Sequence, residues 1–252
     1  MLGVLTIPFP FRIIANFSSW GAWLSLPVTR LFSSVFFGHS VGSVKELSSD
    51  SLGLYIHVLS LAIMALAMGG LIWAIGKENI LSRLRPWLNG LLANYLGLIL
   101  LIYGFDKVFG EQFYFPEPNT LFTPLGQLTK DILFWSTMGT SHTYQLVTGL
   151  VEVLAGLMLL FRKSRFAGSL LAIAVMAHIS LINFSFDISV KLFSSFLLLI
   201  AITLSAPNLK GLWQFLFQNK ISVNHKAETT ITSKKTALYY AIGKAVLLAL
   251  IL

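Results

Sequence analysis

The chain has 252 residues, of which 56% are hydrophobic and 11% charged, with a net charge of +8 and a mean hydropathy of +0.78. Soluble domains carry about a quarter charged residues, so this composition excludes a water-soluble globular fold and indicates a membrane protein in contact with the lipid bilayer. The excess positive charge lies in loops between apolar runs and not on one face with interleaved aromatics, which excludes a nucleic-acid partner and fits anionic headgroups. Cysteine is absent, so disulfides, thiol relays and iron–sulfur clusters within this chain are excluded as well.

Residues 1–52 form an apolar, proline-interrupted segment followed by a loop. Pro8, Pro10, Arg12, Pro27 and Arg30 interrupt the run 4–38, which reads as a broken or interfacial segment with Trp20 and Trp23 at headgroup depth. It lacks the basic start and small-residue cleavage site of a secretory signal and is expected to be retained. Five runs, 53–76, 87–105, 143–161, 166–186 and 188–206, are long enough to cross a hydrocarbon core of about 30 Å. Region 53–86 is therefore a first full span with its inner loop. Region 87–206 is a four-helix core with a long outer loop at 106–142, 207–235 is a Lys-bearing linker, and 236–252 starts a further span after which the natural chain is expected to continue. The loop 106–142 contains Phe113, Tyr114, Phe115, Phe122, Phe134 and Trp135, and it reads either as a lid or as an interfacial cap. The expected fold class is all-α, a polytopic transmembrane helix bundle.

Charge assigns the loops to sides. The loops 77–86, 162–165 and 207–235 carry Lys77, Arg83, Arg85, Arg162, Lys163, Arg165, Lys210, Lys220, Lys226, Lys234 and Lys235 against Glu78 and Glu228. They are expected to be cytoplasmic, in a bacterial inner membrane. The other loops hold Lys45, Lys107 and Lys130 against Glu46, Asp50, Asp106, Glu111, Glu117, Asp131 and Asp187, and belong outside.

Ionisable groups within spans are costly and therefore informative. His57 and Lys191 fall about one turn inside the outer ends of their spans, while Glu152 and His178 are deep. Gln145, Gly149, Glu152 and Gly156 share one helical stripe, and its small residues mark the side where backbones approach, so Glu152 is expected to face the bundle. Gly90, Asn94, Gly97, Leu101 and Gly104 form a similar stripe ending near Lys107, and Ala167, Leu171, Ala174 and His178 form a third. Counted from the outer ends, Glu152, His178 and Asn94 lie roughly 14, 12 and 16 Å deep. These levels predict an outward-facing polar pocket with Glu152 and His178 at its floor, Lys107 at its mouth, and Asp106, Asn183, Asp187 and Lys191 around its rim. Plainer readings stand beside this one: Glu152 as a register-fixing pair, His178 as a satisfied core histidine, and the lysines as snorkelling side chains. No histidine pair has metal-ligand spacing, so no metal site is expected, and no nucleotide-binding or hydrolase motif occurs.

Three segments carry a resemblance: Tyr103-Gly-Phe-Asp-Lys107-Val-Phe-Gly110, Gly149-Leu-Val-Glu152-Val-Leu-Ala-Gly156, and Asn183-Phe-Ser-Phe-Asp187-Ile-Ser-Val-Lys191. In their order and spacing they resemble the DoxX-like membrane proteins, nearest to a longer subgroup from Bacteroidetes-type bacteria, over about residues 88–215. The resemblance implies a four-helix core and a subunit or accessory of a quinone-linked membrane redox system, with a redox partner protein. It also implies a distant relation to the transmembrane part of vitamin K-dependent carboxylases, in which a lysine resembled by Lys107 acts as a base, although the large lumenal domain of those enzymes has no counterpart here. Any quinone or other amphiphilic ligand is expected to meet Lys107, Glu152 and His178 as proton-transfer groups and Asn94, Tyr103, Asp106, Asn183, Asp187 and Lys191 as binding groups. Whether the chain is itself an enzyme stays open at this point. The alternatives are a proton-coupled transporter component relaying through Glu152 and His178, and a structural scaffold without catalysis.

Overall fold

The computed structural model describes residues 26–36, 38, 50–75 and 78–218, and among these all regular structure is helical. Helix α1 is described over Leu26–Phe36, an apolar stretch. Helix α2, Leu52–Ala74, begins where Ser51 Oγ accepts the Leu54 N–H at 3.2 Å. Helix α3, Glu78–Val108, takes in nearly all of the loop expected at 77–86 and carries Pro86 in its interior. The expected long loop is folded into a cap containing α4 (Pro118–Leu121), one 3-10 turn (Leu125–Gln127) and α5 (Lys130–Gly139). Helices α6 (His142–Leu160), α7 (Arg165–Ser185) and α8 (Lys191–Gln218) follow. α8 continues past Pro207 through twelve residues of the expected linker. The rest of that linker, the span expected at 236–252, and Trp20 and Trp23 lie outside the described residues.

Five helices are long and apolar enough to cross a membrane: α2, the part of α3 from Leu84 to Val108, α6, α7 and α8. The chain is thus an all-α, multi-pass membrane bundle. Leu59, Leu66, Leu71 and Trp73 stand exposed along α2, a surface that lipid tolerates and water does not.

By its contacts the chain divides into two units, Met1–Ser205 and Ala206–Leu252. In the second, the described part is the end of α8, where the Trp213 and Phe217 rings lie 4.2 Å apart. In the first, the hydrophobic core is drawn from the four helices expected to form it: Leu96, Ile99 and Leu100 of α3, Ala155 and Leu159 of α6, Ala172 and Met176 of α7, and Leu197, Ile200 and Ala201 of α8. α1 packs on α2 through Leu26 and Ile56.

The closest helix pair is α3 with α6, and glycine is the reason. A Cβ on Gly104 would stand 2.9 Å from the Gly149 carbonyl oxygen, and one on Gly156 would stand 2.8 Å from that of Gly97. Side chains at these positions would push the backbones apart, so the two glycine pairs fix both the approach and the antiparallel register.

Candidate functional site

That register sets two ionisable groups opposite each other. Helical side chains lean toward the N-terminus of their own helix, so Lys107 on α3 leans back into the bundle. Glu152, on the antiparallel α6, leans outward toward it. They meet at the level of Gly104 and Gly149, where Lys107 Nζ donates to Glu152 Oε2 at 2.7 Å. Lys107 is 7% exposed and Glu152 3% exposed. Glu152 thus faces protein, as its stripe requires, about 15 Å along α6 from its first residue. Lys107 differs from its expected place: it is no entrance residue but half of a buried ion pair. The glycines shape this site as well, because a Cβ on Gly149 would lie 2.9 Å from Lys107 Cβ and displace the lysine stem.

His178 is not part of the site. It lies on the exposed side of α7, and no hydrogen-bond partner for it is present among the described residues. The buried face of α7 is instead Gly168, Ser169, Ala172, Met176, Ser180 and Asn183. Gly168 sits against Met158 and Leu159 of α6, where a Cβ would meet Met158 Cβ at 2.7 Å. The expected convergence of Glu152 and His178 is therefore corrected to a convergence of Glu152 and Lys107.

The remaining expected residues fall into three groups. Tyr103 lies one helical turn from Lys107 on α3, half-buried, with its ring 6.4 Å from that of Phe193 on α8. The register sets Asn94 near Leu159, several residues deeper than Glu152, so it does not share the floor of the site. Asp106 is half-buried, and its backbone carbonyl accepts the N–H groups of Glu111 and Gln112 at 2.8 and 3.1 Å, closing the end of α3. Asn183 is buried on the bundle face of α7 and accepts the Ile188 N–H through its backbone oxygen at 3.0 Å.

Asp187 and Lys191 form a separate pair at the membrane boundary, 2.5 Å apart. The hydrogen bond and charge of Lys191 hold the Asp187 carboxyl below its ordinary range. Asp50, which no spacing argument singled out, completes this corner. Its carboxylate accepts the backbone N–H groups of Lys191 at 2.7 Å and Leu192 at 3.1 Å, capping α8 from 141 residues away. Asp50 holds a φ of 47°, which aspartate tolerates better than most residues. Also missed by spacing is the partner of His57: Thr29 Oγ1 lies 2.6 Å from its Nδ1, and both residues are fully buried between α1 and α2.

Several buried polar atoms near the cap end lack a hydrogen-bond partner among the described residues. They include Gln145 Oε1, Ser180 Oγ and Asn183 Nδ2. Gln145 itself is anchored, since its Nε2 donates to the Met138 carbonyl of the cap at 3.0 Å. Carried along the helices at about 1.5 Å per residue, the two registers bring Gln145, Ser180 and Asn183 to nearly the level of Lys107. Among the described residues no three His, Asp or Glu side chains gather in a way that would hold a metal ion.

The chain is similar to the "Uncharacterized protein YwoB" of Bacillus subtilis (strain 168), at 29% identity over 119 residues that cover 44% of this chain and 70% of YwoB. No family model and no solved structure matches it.

Proposed function

We propose that the chain is a DoxX-like subunit or accessory of a quinone-linked redox system in the bacterial inner membrane, with Lys107 and Glu152 as its proton-handling centre. The observation that carries this reading is the ion pair itself, buried between two glycine-packed helices toward the cap end of their spans. Such a pair is expensive to place in hydrocarbon, and packed apolar side chains would join α3 to α6 at least as well. Its members are also a matched donor and acceptor, so a proton can pass at the site without net charge being created in the bilayer. A quinone, when bound, supplies two-electron chemistry that takes up or releases protons. Lys107, Glu152 and Tyr103 are the residues that would face its ring, and Gln145, Ser180 and Asn183 hold the unpaired polar atoms that a polar head would engage.

The basic loops 77–86, 162–165 and 207–235 support a cytoplasmic placement for that side, with the cap between α3 and α6 on the outside. The relay through Glu152 and His178, on which the transporter alternative depends, has no geometric support, since His178 lies on the exposed side of α7. Purification from native membranes followed by solvent extraction and mass spectrometry tests the redox reading. A stoichiometric quinone is the expected result, and its absence from gently extracted protein counts against the proposal.

A further inference from the structure

The cap between α3 and α6 leaves large apolar side chains in the open. Phe109, Tyr114, Phe115, Leu121, Phe122 and Leu125 are 65%, 70%, 65%, 50%, 86% and 68% exposed. Incomplete folding of the cap does not account for them. Phe113 is buried against Phe134 and Trp135, Phe134 packs on Phe186 at the end of α7, and Gly139 is seated so closely on the Tyr114 carbonyl that no side chain fits there. The cap therefore has its own packed interior and a second apolar set facing outward, and a surface of that kind marks association with a membrane or a partner.

Position selects between them. Phe109 follows directly on the last residue of one span, and the cap ends at Ser141, beside the first residue of another. The adjoining ends of the spans expose apolar side chains as well, Tyr144 and Val147 of α6 and Leu181 and Phe184 of α7. Between the apolar side chains stand exposed Glu111, Glu117, Asn119 and Gln127. Aromatic and polar groups mixed in this way, at the ends of spans, match the layer where headgroups meet acyl chains.

We infer that the cap is a membrane-binding element in its own right, lying in the headgroup layer of one leaflet with these six side chains in the acyl boundary. Its partner is the lipid surface, and the cap closes the bundle from within the bilayer interface.

Because the chain has no cysteine, single nitroxide labels can be placed without background. The full chain would carry Phe115→Cys, Phe122→Cys or Leu125→Cys in liposomes of phosphatidylethanolamine and phosphatidylglycerol, with Ile63→Cys on the exposed side of α2 as an acyl reference. All four positions lie outside the packed core, and monodisperse elution checks the fold. Collision with oxygen, which partitions into acyl chains, is compared with collision with a water-soluble nickel chelate. The expected result is an oxygen-to-nickel ratio above one at all three cap positions, approaching the Ile63→Cys value. A ratio below one means that water covers the patch, and loss of collision with both reagents means that protein covers it. Either outcome overturns the inference.

Discussion

Lys107 and Glu152 lie forty-five positions apart in sequence and 2.7 Å apart in space, each enclosed by the helix that carries the other. Removing one partner strands the other charge in the bundle, whereas removing both does not. Glu152→Leu alone is expected to destabilise the protein by about 3–5 kcal/mol, and Lys107→Met with Glu152→Leu to return to within about 1 kcal/mol of the parent or above it. Thermal unfolding in a single detergent, run as a double-mutant cycle, measures this. Additive losses from the two single changes would show that the groups do not act as a pair.

The glycine contacts make a graded series. Gly149→Ala sets a methyl group 2.7 Å from the Gly104 carbonyl oxygen and should cost about 1–3 kcal/mol while moving the lysine stem. Gly90→Ala, on the same helix as Gly104 but with open space where its Cβ would stand, should be neutral or stabilising by up to about 1 kcal/mol. Equal losses at both sites would refute the close-packing explanation.

Asp50 offers a cap that can be removed without touching the core. Asp50→Ala should cost about 0.5–2 kcal/mol and speed hydrogen exchange at the Lys191 and Leu192 amides, while Asp50→Asn, which keeps an acceptor and tolerates the positive φ, should lose less. Unchanged exchange in the Ala variant would mean that those amides are satisfied in another way.

The Asp187 carboxyl gives a small pH dependence of known sign. Its pKa is depressed in the folded protein, chiefly by the hydrogen bond from Lys191, so the pair contributes stability above the ordinary carboxylate range and loses it as pH falls through the depressed value. Asp187→Asn should therefore lower the melting temperature slightly at neutral pH, match wild type below the depressed value, and so flatten the acid limb of the melting profile. A wild-type acid limb in the variant would assign that limb to other groups.

Sidedness can be read with the same cysteine-free background. Lys163→Cys and Asn119→Cys, both at exposed positions, are labelled in intact cells with an impermeant maleimide. Reaction at Asn119→Cys alone is expected, and the reverse pattern would invert the topology.

The bundle was legible because the glycine stripes are distinctive: Gly149 and Gly156 placed Glu152 on the protein-facing side of α6, and Gly97 and Gly104 marked the matching side of α3. α7 carries two stripes of small residues, and the one through Ala174 leads to His178, whereas the buried face runs through Gly168, Ser169, Ala172, Ser180 and Asn183, where the small and polar residues gather. The meeting of Lys107 with Glu152 follows from the small-residue stripes together with the inward lean of helical side chains, whereas depth counted along the backbone alone puts Lys107 at an entrance. Asp50 on α8 and Thr29 on His57 leave no periodic trace, because their partners are distant in sequence.

The most direct test of a functional ion pair is the quinone content of the protein before and after the pair is replaced. Wild type and the Lys107→Met, Glu152→Leu double variant are purified identically, their folding is checked by melting, and the quinone bound per chain is quantified by mass spectrometry. The expected result is a folded double variant that has lost the quinone carried by wild type. Full retention of quinone by the double variant, or a wild type that carries none, would contradict the assignment of Lys107 and Glu152 as the working centre.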